Sequence, residues 1–255
     1  MNKKEAFDFE RDNRLYETRA QQGFLNKLIP HHWCIHHDDK TNVRSVESVK
    51  SLANEFERPV ILAIGAGGGS LYRRVWQEPE ITRIGVDINH EVLVNEGKTV
   101  FKAVEADANL LPFKDNSIDI VLFDYVLHHL VGQGVMERAI AEGLRVLRPG
   151  GYMVAREPSS YSPSGFAMNI ANKFKLMHFI SGASNYEFAI SPPYLLKLLE
   201  SGGKRVSVRG LSFLWSRRLP IWLQEIISKL EPVVFSTERS QYVADFIVYV
   251  VRKNN

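Results

Sequence analysis

Short apolar runs that alternate with helical patterns constrain the fold of this chain more than any other feature. The first run, PVILAIG, is continuous and rich in branched residues, and it ends at Gly65. Similar runs follow at RIGVDIN, VFKAVEAD, IDIVLFDYVL and YMVAREP, and two final strands are predicted at KRVSVRGL and YVADFIVYVV. Continuous apolar strands separated by helices are typical of a parallel sheet with both faces covered. We therefore predict an α/β fold with helices on both faces of the sheet.

Helical patterns occupy several connections between these strands. The segment MERAIAEGLRVLRPGG predicts an amphipathic helix that ends at Pro149, Gly150 and Gly151. The segment SPPYLLKLLESGG predicts a helix with Ser191 as its N-cap and prolines in its first turn. The connection between the last two strands is long for a hairpin, so we expect a helix there as well.

Three segments lie outside the alternation of strands and helices. They are residues 1–58, about 158–190 and about 212–241. Because loops and insertions carry specificity on such scaffolds, we predict that all three act as lids or substrate walls. The first is expected to be an N-terminal helical segment, and residues 59–255 the core domain that carries the other two as insertions.

Composition narrows the class of protein and its partners. The chain has 255 residues, of which 45% are apolar, and a net charge of +3, so it can bury a large core and shows no marked basic excess. This balance argues against a nucleic-acid partner. A single cysteine, Cys34, fits a reducing compartment. The polar N-terminus shows no signal sequence and no apolar run approaches the length of a membrane span, so we expect a cytoplasmic protein.

The loop GAGGGS after the first strand raises the question of its ligand. It lacks the Lys-Ser/Thr pair of a triphosphate-binding loop and matches the dinucleotide pattern only imperfectly. Asp87, 22 residues after Gly65, can bind ribose hydroxyls, as in a dinucleotide enzyme. Asp107, after the third strand, can accept a hydrogen bond from an exocyclic amine, and the adjacent LLPF can wall a purine ring. These positions favour a single nucleoside lying across three successive strand ends.

The chain resembles the class I S-adenosylmethionine-dependent methyltransferases, and most closely their small-molecule branch. The matching stretches are VILAIGAGGG, IGVDIN, VEADANLLPFKDNSIDIVLFDYVLHHL and EGLRVLRPGGYMVAREP, in the order and at the spacing of that family. The resemblance implies a Rossmann-like, seven-stranded, mostly parallel sheet with an antiparallel last strand. It also implies S-adenosylmethionine as cofactor and S-adenosylhomocysteine as product.

The resemblance assigns cofactor contacts to residues at four strand ends. The loop under the methionine part of the cofactor is formed by Gly65, Ala66, Gly67 and Gly69. Asp87 is expected on the ribose.

Further contacts implied by the resemblance follow the second, third and fourth strands. Ile88 is expected beside the adenine, and Asp107 with the backbone of Ala108 at the adenine edge. Asp124 and Tyr125 are expected to border the methionyl group.

One position departs from the family pattern. The family usually carries an acid two residues before the first glycine, where this chain has Ala63. That acid helps to fix the glycine loop. Its loss leaves three outcomes open: weaker binding, compensation by another group, or loss of activity.

Two adjacent histidines follow the fourth strand, where the cofactor's methyl group is expected. Hydroxyl acceptors need a base during methyl transfer, and imidazole titrates near neutral pH. His128 and His129 are therefore the candidate catalytic residues. The alternative is that one of them only caps or packs in the following helix.

A second histidine-rich stretch is HHWCIHHDD, from His31 to Asp39. It suggests a metal site, but its ligand types are bunched in one short segment, unlike the separated pairs of structural zinc sites. We interpret it as a polar or substrate-facing lid segment and predict no metal site from the sequence.

Residues 211–230 form an apolar segment that contains two tryptophans and two arginines, LSFLWSRRLPIWLQEIISKL. The simplest interpretation is a lid or dimer helix that buries its apolar stripe; the alternative is peripheral contact with a membrane. The insert over 158–190 is similarly interpreted as a substrate wall. The sequence leaves a monomer and a homodimer equally open.

The sequence favours an enzyme that transfers a methyl group to a small or amphipathic organic acceptor, most simply at oxygen. One alternative is a regulatory protein that binds the cofactor without turnover, which Ala63 keeps open. Another is methylation of RNA or protein; the absence of a basic stripe argues against RNA.

Overall fold

A seven-stranded sheet forms the centre of the molecule. A computed structural model describes residues 47–67, 80–93, 102–176, 186–212, 220–234 and 237–255. The strands are β1 (Val60–Ile64), β2 (Thr82–Asp87), β3 (Lys102–Glu105), β4 (Ile118–Asp124), β5 (Leu147–Pro158), β6 (Gly203–Ser212) and β7 (Phe246–Lys253). Their order is β3-β2-β1-β4-β5-β7-β6.

The strand directions confirm the predicted topology. Strands β1 to β5 are mutually parallel, whereas β7 runs antiparallel to both of its neighbours, β5 and β6. The strand order reverses between β1 and β4. In open α/β sheets, ligands bind outside the carboxyl ends of the strands at such a reversal.

Helices cover both faces of the sheet. They are α1 (Leu127–Val131), α2 (Met136–Val146), α3 (Pro163–Lys173), α4 (Pro192–Leu199) and α5 (Ile221–Val234). A single helical turn spans His90–Val92, residues 47–53 are helical, and short 3-10 turns span Glu200–Gly202 and Glu238–Tyr242.

The alternation of side chains along β1 explains why its sequence is apolar throughout. Leu62 and Ile64 pack in a core that includes residues of α1, α2 and α4. Ile61 and Ala63 point to the opposite core, which includes residues of the 47–53 helix. A strand with a core on each face carries no polar alternation, as the sequence predicts.

Two element ends differ from the sequence prediction. The fourth strand ends at Asp124 rather than at Leu127, because Tyr125 takes a left-handed backbone (φ 57) and Leu127 begins α1. The helix predicted to end at Pro149–Gly151 ends at Val146, where the backbone of Leu147 becomes extended and starts β5.

Other predictions concern the connections and the chain outside this core. Ser191 is the N-cap position of α4, and α5 lies within the 212–241 connection, as expected. Gly69, the His31–Asp39 stretch and residues 213–219 lie outside the described residues. Within the part that is described, no helix is long and apolar enough to cross a membrane.

Candidate functional site

The glycine loop leaves β1 at the reversal of strand order and packs against the start of α1. Gly65 and Gly67 both have left-handed backbones, with φ values of 64 and 49. A Cβ on Gly65 would lie 2.2 Å from Cγ2 of Val126, so only glycine fits there. A Cβ on Gly67 would meet no heavy atom of the described residues within 4 Å. No described residue therefore fills the space beside Gly67.

Asp87, at the end of β2, holds this loop in place. Its Oδ2 accepts the backbone N–H of Gly67 at 2.8 Å, and its Oδ1 accepts that of Asn89 at 2.9 Å. The N–H of Ala66 donates to the carbonyl of Val86 at 2.9 Å. Asp87 therefore joins the end of β2 to the glycine loop through its carboxylate.

Asp107 begins a tight turn after β3, on the same edge of the sheet. Its Oδ1 accepts both the backbone N–H and the side-chain amide of Asn109, each at 2.8 Å. The Oδ1 of Asn109 is buried and has no hydrogen-bond partner within the described part of the chain. Leu110 is exposed, whereas Leu111 is buried in the core. This turn therefore presents acceptor atoms and an exposed apolar side chain at the end of β3.

Asp124, at the end of β4, forms a two-point ion pair with a buried arginine of β5. Nε and Nη2 of Arg156 lie 2.5 and 2.9 Å from the two carboxylate oxygens of Asp124. Burial raises the pKa of Asp124, while the charge and hydrogen bonds of Arg156 act in the opposite direction. The guanidinium also lies 4.3 Å from the ring centroid of Tyr125. The pair thus fixes the left-handed turn between β4 and α1.

Glu157 of β5 caps α1 from a distance of about thirty residues. Its carboxylate accepts the backbone N–H groups of Val126, Leu127 and His128 at 3.0, 2.7 and 3.2 Å. The same carboxylate lies 2.7 Å from Nδ1 of His128, and only 1% of its side chain is exposed. Glu157 therefore fixes both the start of the helix and the orientation of the His128 ring.

His129 lies beside His128, and a second glutamate approaches it. The two imidazole centroids are 4.1 Å apart. Residues 186–190 return across α1, since the N–H of Phe188 donates to the carbonyl of His128 at 3.0 Å. This return brings Oε1 of Glu187 to 3.8 Å from Nδ1 of His129. Two histidines and two glutamates therefore meet next to the end of β4.

The comparison with known families agrees with this arrangement of strand ends. Residues 62–155 match the sequence model of a methyltransferase domain. That match runs from β1 to β5 and contains the glycine loop, the three strand-end aspartates Asp87, Asp107 and Asp124, and the histidine pair. Residues 62–155 therefore carry a methyltransferase domain.

Relatives of this methyltransferase domain act on different acceptors. It is 33% identical over 95 residues to a tRNA (carboxymethyluridine(34)-5-O)-methyltransferase from Arabidopsis thaliana. The aligned region covers 37% of this chain and 23% of that relative. It is 36% identical over 107 residues to a ubiquinone/menaquinone biosynthesis C-methyltransferase from Stutzerimonas stutzeri, which covers 38% and 41%. The matched region is thus less than half of each relative, and the two names differ in acceptor and in the atom methylated.

Solved structures show the same fold over most of the chain. A S-adenosylmethionine-dependent methyltransferase from Thermotoga maritima superposes with a TM-score of 0.61 at 17% identity, over 96% of this chain and 98% of that one. At this identity the likeness establishes the fold alone.

The methyltransferase domain has the features that S-adenosylmethionine requires. Among the described residues, no heavy atom lies within 4 Å of a Cβ built on Gly67, and the Oδ1 of Asn109 has no hydrogen-bond partner. S-adenosylmethionine has a bulky methionyl end that would fill the space beside Gly67, and an exocyclic amine that would donate to the acceptor atoms after β3. Asp87, at the end of the strand between these positions, would bind the hydroxyls of the cofactor's ribose. The residues present therefore fit this cofactor.

The structure places the remaining predicted site residues on the same edge. Ile88 and Ala108 are half-buried directly after Asp87 and Asp107. Gly69 lies outside the described residues. The cofactor contacts predicted for all of these residues stay predictions.

Sequence reasoning missed three charged residues of the site. Arg156 and Glu157 end the buried strand β5, and Glu187 lies in the insert between β5 and α4. A charged pair in an otherwise apolar strand is a signal, since such residues are rarely buried without partners. Glu187 carries no comparable signal, because its position depends on how the insert folds back over α1.

Proposed function

We propose that this protein transfers the methyl group of S-adenosylmethionine to a small or amphipathic organic acceptor, at an oxygen atom. S-adenosylmethionine, when bound, supplies a methyl group already activated on a sulfonium. The protein has to align the acceptor's hydroxyl group with that methyl group and to ionise the hydroxyl. Alignment alone can lower the activation barrier by about 7–11 kcal/mol. The proposal therefore depends on which side chains next to the methionyl end of the cofactor site can ionise a hydroxyl group.

The observation that carries the proposal is the buried pair of His128 and Glu157. Nδ1 of His128 lies 2.7 Å from a carboxylate that is 99% buried and that also accepts three backbone N–H groups. The carboxylate of Glu157 favours the tautomer of His128 in which Nδ1 carries the proton, as in the dyads of hydrolytic enzymes. The lone pair then lies on Nε2, which can accept a proton or bind a cation. Either action helps to ionise a hydroxyl group.

The position of the histidines supports a role in transfer rather than in cofactor binding. They follow Asp124 by four and five residues, at the start of α1. The glycine loop, Asp87 and Asp107 lie on the β1 to β3 side of the sheet. This separation supports a role for the histidine pair at the acceptor.

The exposed side chains of helix α3 favour an apolar or amphipathic acceptor. One of its faces holds residues 187–189, since Asn169 and Asn172 donate to the carbonyls of Ala189 and Glu187. Another face exposes Phe166, Ile170 and Phe174, at helical spacing. An exposed apolar stripe thus lies on the helix that supports the histidine site. The role of the insert as a substrate wall stays a prediction.

The test is methyl transfer from S-adenosylmethionine labelled in its methyl group to paired acceptors. Each pair has one ring system and differs only in a hydroxyl, an amino group or neither. We expect label in the hydroxylated member, and a loss of about 100-fold or more in turnover for His128→Gln with cofactor affinity unchanged. Label in the amine or at ring carbon, with none at oxygen, contradicts the proposed atom.

A second candidate function is cofactor binding without turnover. It rests on Ala63, which stands buried in β1 where the family usually has an acid. Against it, the carboxylate of Asp87 already holds the N–H of Gly67. The same assay separates the two, because a binding protein retains the cofactor but labels no acceptor, RNA and protein included.

A further inference from the structure

We propose that His128, His129 and Glu187 form a zinc site whose open coordination position takes the acceptor's oxygen. One ring nitrogen of each histidine and a carboxylate oxygen of Glu187 lie within 4.8 Å of one another. All three side chains are largely buried, with exposed fractions of 10%, 21% and 9%. This inference rests on the proposed function only for the role of the ion, and not for its binding.

The histidine rings converge although they are neighbours in sequence. Consecutive residues of a helix point about 100° apart, which normally separates two adjacent histidines. Here the ring centroids of His128 and His129 are 4.1 Å apart, with the planes inclined by 40°. The contact brings one nitrogen of each ring within 4.8 Å of the other and of a carboxylate oxygen of Glu187 on the returning segment 186–190.

The distance between His129 and Glu187 suits an ion better than a hydrogen bond. Nδ1 of His129 and Oε1 of Glu187 are 3.8 Å apart, beyond hydrogen-bond range. Zinc binds nitrogen and oxygen at about 2.0–2.2 Å, so two ligands of a tetrahedral ion lie about 3.4 Å apart. A closure of about an ångström among the three side chains completes the site.

Glu157 supplies the outer partner that zinc-binding histidines usually have. Its carboxylate engages Nδ1 of His128 at 2.7 Å, which leaves Nε2 for the ion. Glu157 is itself fixed by three backbone N–H groups at the start of α1. The ring orientation is thus set before any ion arrives.

Two nitrogens and one carboxylate with a fourth position open is the ligand set of catalytic zinc. Zinc lowers the pKa of an oxygen acid bound at that position. The acceptor's O–H bond breaks and its proton passes to water. The oxygen then forms its bond to the methyl carbon while the carbon–sulfur bond breaks, and that electron pair stays on sulfur.

Zinc binding is measured on the untagged full chain, without cofactor or acceptor, by competition with a chromophoric chelator. The stretch from His31 to Asp39 contains other nitrogen ligands, so the titration is repeated with His31, His32, His36 and His37 replaced by Gln. We expect one zinc ion per chain to remain in that background. Absence of stoichiometric zinc there overturns the proposal.

Three single changes in the same background locate the ion. Glu187→Gln, which preserves shape, is expected to weaken zinc binding by about 100-fold or more, and Glu157→Gln by about 10–100-fold. The control is His90→Gln, because His90 pairs with Glu105 at 2.9 Å on the surface, away from the site. An unchanged zinc affinity in Glu187→Gln overturns the proposal, and circular dichroism checks that each variant is folded.

Activity separates this inference from the proposed function. Zinc bound through Glu187, with no transfer to any hydroxyl, supports the zinc site and contradicts oxygen methylation. Oxygen methylation at full rate in protein shown to be free of zinc supports the function and overturns the proposed role of the ion in transfer.

Discussion

Two glycines of one loop, changed one at a time, separate the stability of this domain from its affinity for the cofactor. Gly65 and Gly67 share a left-handed backbone, with φ values of 64 and 49. They differ in what an added Cβ meets. At Gly65 it would lie 2.2 Å from Cγ2 and 2.7 Å from Cβ of Val126, whereas at Gly67 no described heavy atom lies within 4 Å.

The structure sets different magnitudes for the two substitutions. A left-handed backbone costs a residue other than glycine about 1–2 kcal/mol. Overpacking against a fixed side chain adds about 1–3 kcal/mol. Gly65→Ala carries both costs, so it should lower the free energy of unfolding by about 2–5 kcal/mol. Gly67→Ala carries only the first, about 1–2 kcal/mol, but its methyl group enters the space assigned to the cofactor.

Urea denaturation of the cofactor-free proteins measures the first difference, and calorimetric titration with S-adenosylhomocysteine measures the second. We expect Gly65→Ala to be the less stable protein and Gly67→Ala to remain folded but to bind at least about tenfold more weakly than the wild type. Equal unfolding free energies for the two variants would refute the contact with Val126. Wild-type affinity in Gly67→Ala would refute the position of the cofactor under the loop.

Three further predictions use other contacts of the domain. Asp87→Asn replaces one of two oxygens that accept backbone N–H groups, and should weaken S-adenosylhomocysteine binding about tenfold or more by calorimetry; an unchanged affinity contradicts it. Gly132→Ala places a Cβ about 2.5 Å from the carbonyl oxygen of residue 186, so it should displace segment 186–190 and lower turnover while cofactor affinity persists. The hydrogen bond from Arg145 lowers the pKa of Glu142 below its ordinary value of 4.5. The pair therefore stabilises the fold fully above pH 4.5, and this stabilisation is lost as the pH falls through the lowered pKa of Glu142 in the folded protein. Between about pH 6 and about pH 3, the wild type should therefore lose more unfolding free energy than Glu142→Gln, and equal losses would show that the pair contributes nothing.

The sheet was predictable because each of its strands carries a local signal. PVILAIG is apolar throughout, since Leu62 and Ile61 enter cores on opposite faces, and a glycine ends it. The strand-end acids Asp87 and Asp107 follow from the same pattern, since parallel strands end at one edge. The strand directions and the antiparallel last strand are confirmed.

The electrostatics of the histidine site were not predictable, because they depend on contacts between distant parts of the chain. Glu157 caps α1 through backbone N–H groups about thirty residues earlier. Val126, the N-cap position, makes no side-chain cap hydrogen bond, so local sequence gives no indication of how that helix starts. Glu187 reaches His129 only because residues 186–190 cross α1. Such contacts are set by tertiary packing and leave no periodicity in the sequence.

The most direct test of the account is calorimetric titration of the full chain with S-adenosylmethionine, S-adenosylhomocysteine and NADH. We expect one site per chain for each of the two adenosyl ligands, lost or weakened in Gly67→Ala, and no heat with NADH. Binding of NADH, or binding of none of the three, would contradict the assignment of the glycine loop to the methionine end of S-adenosylmethionine.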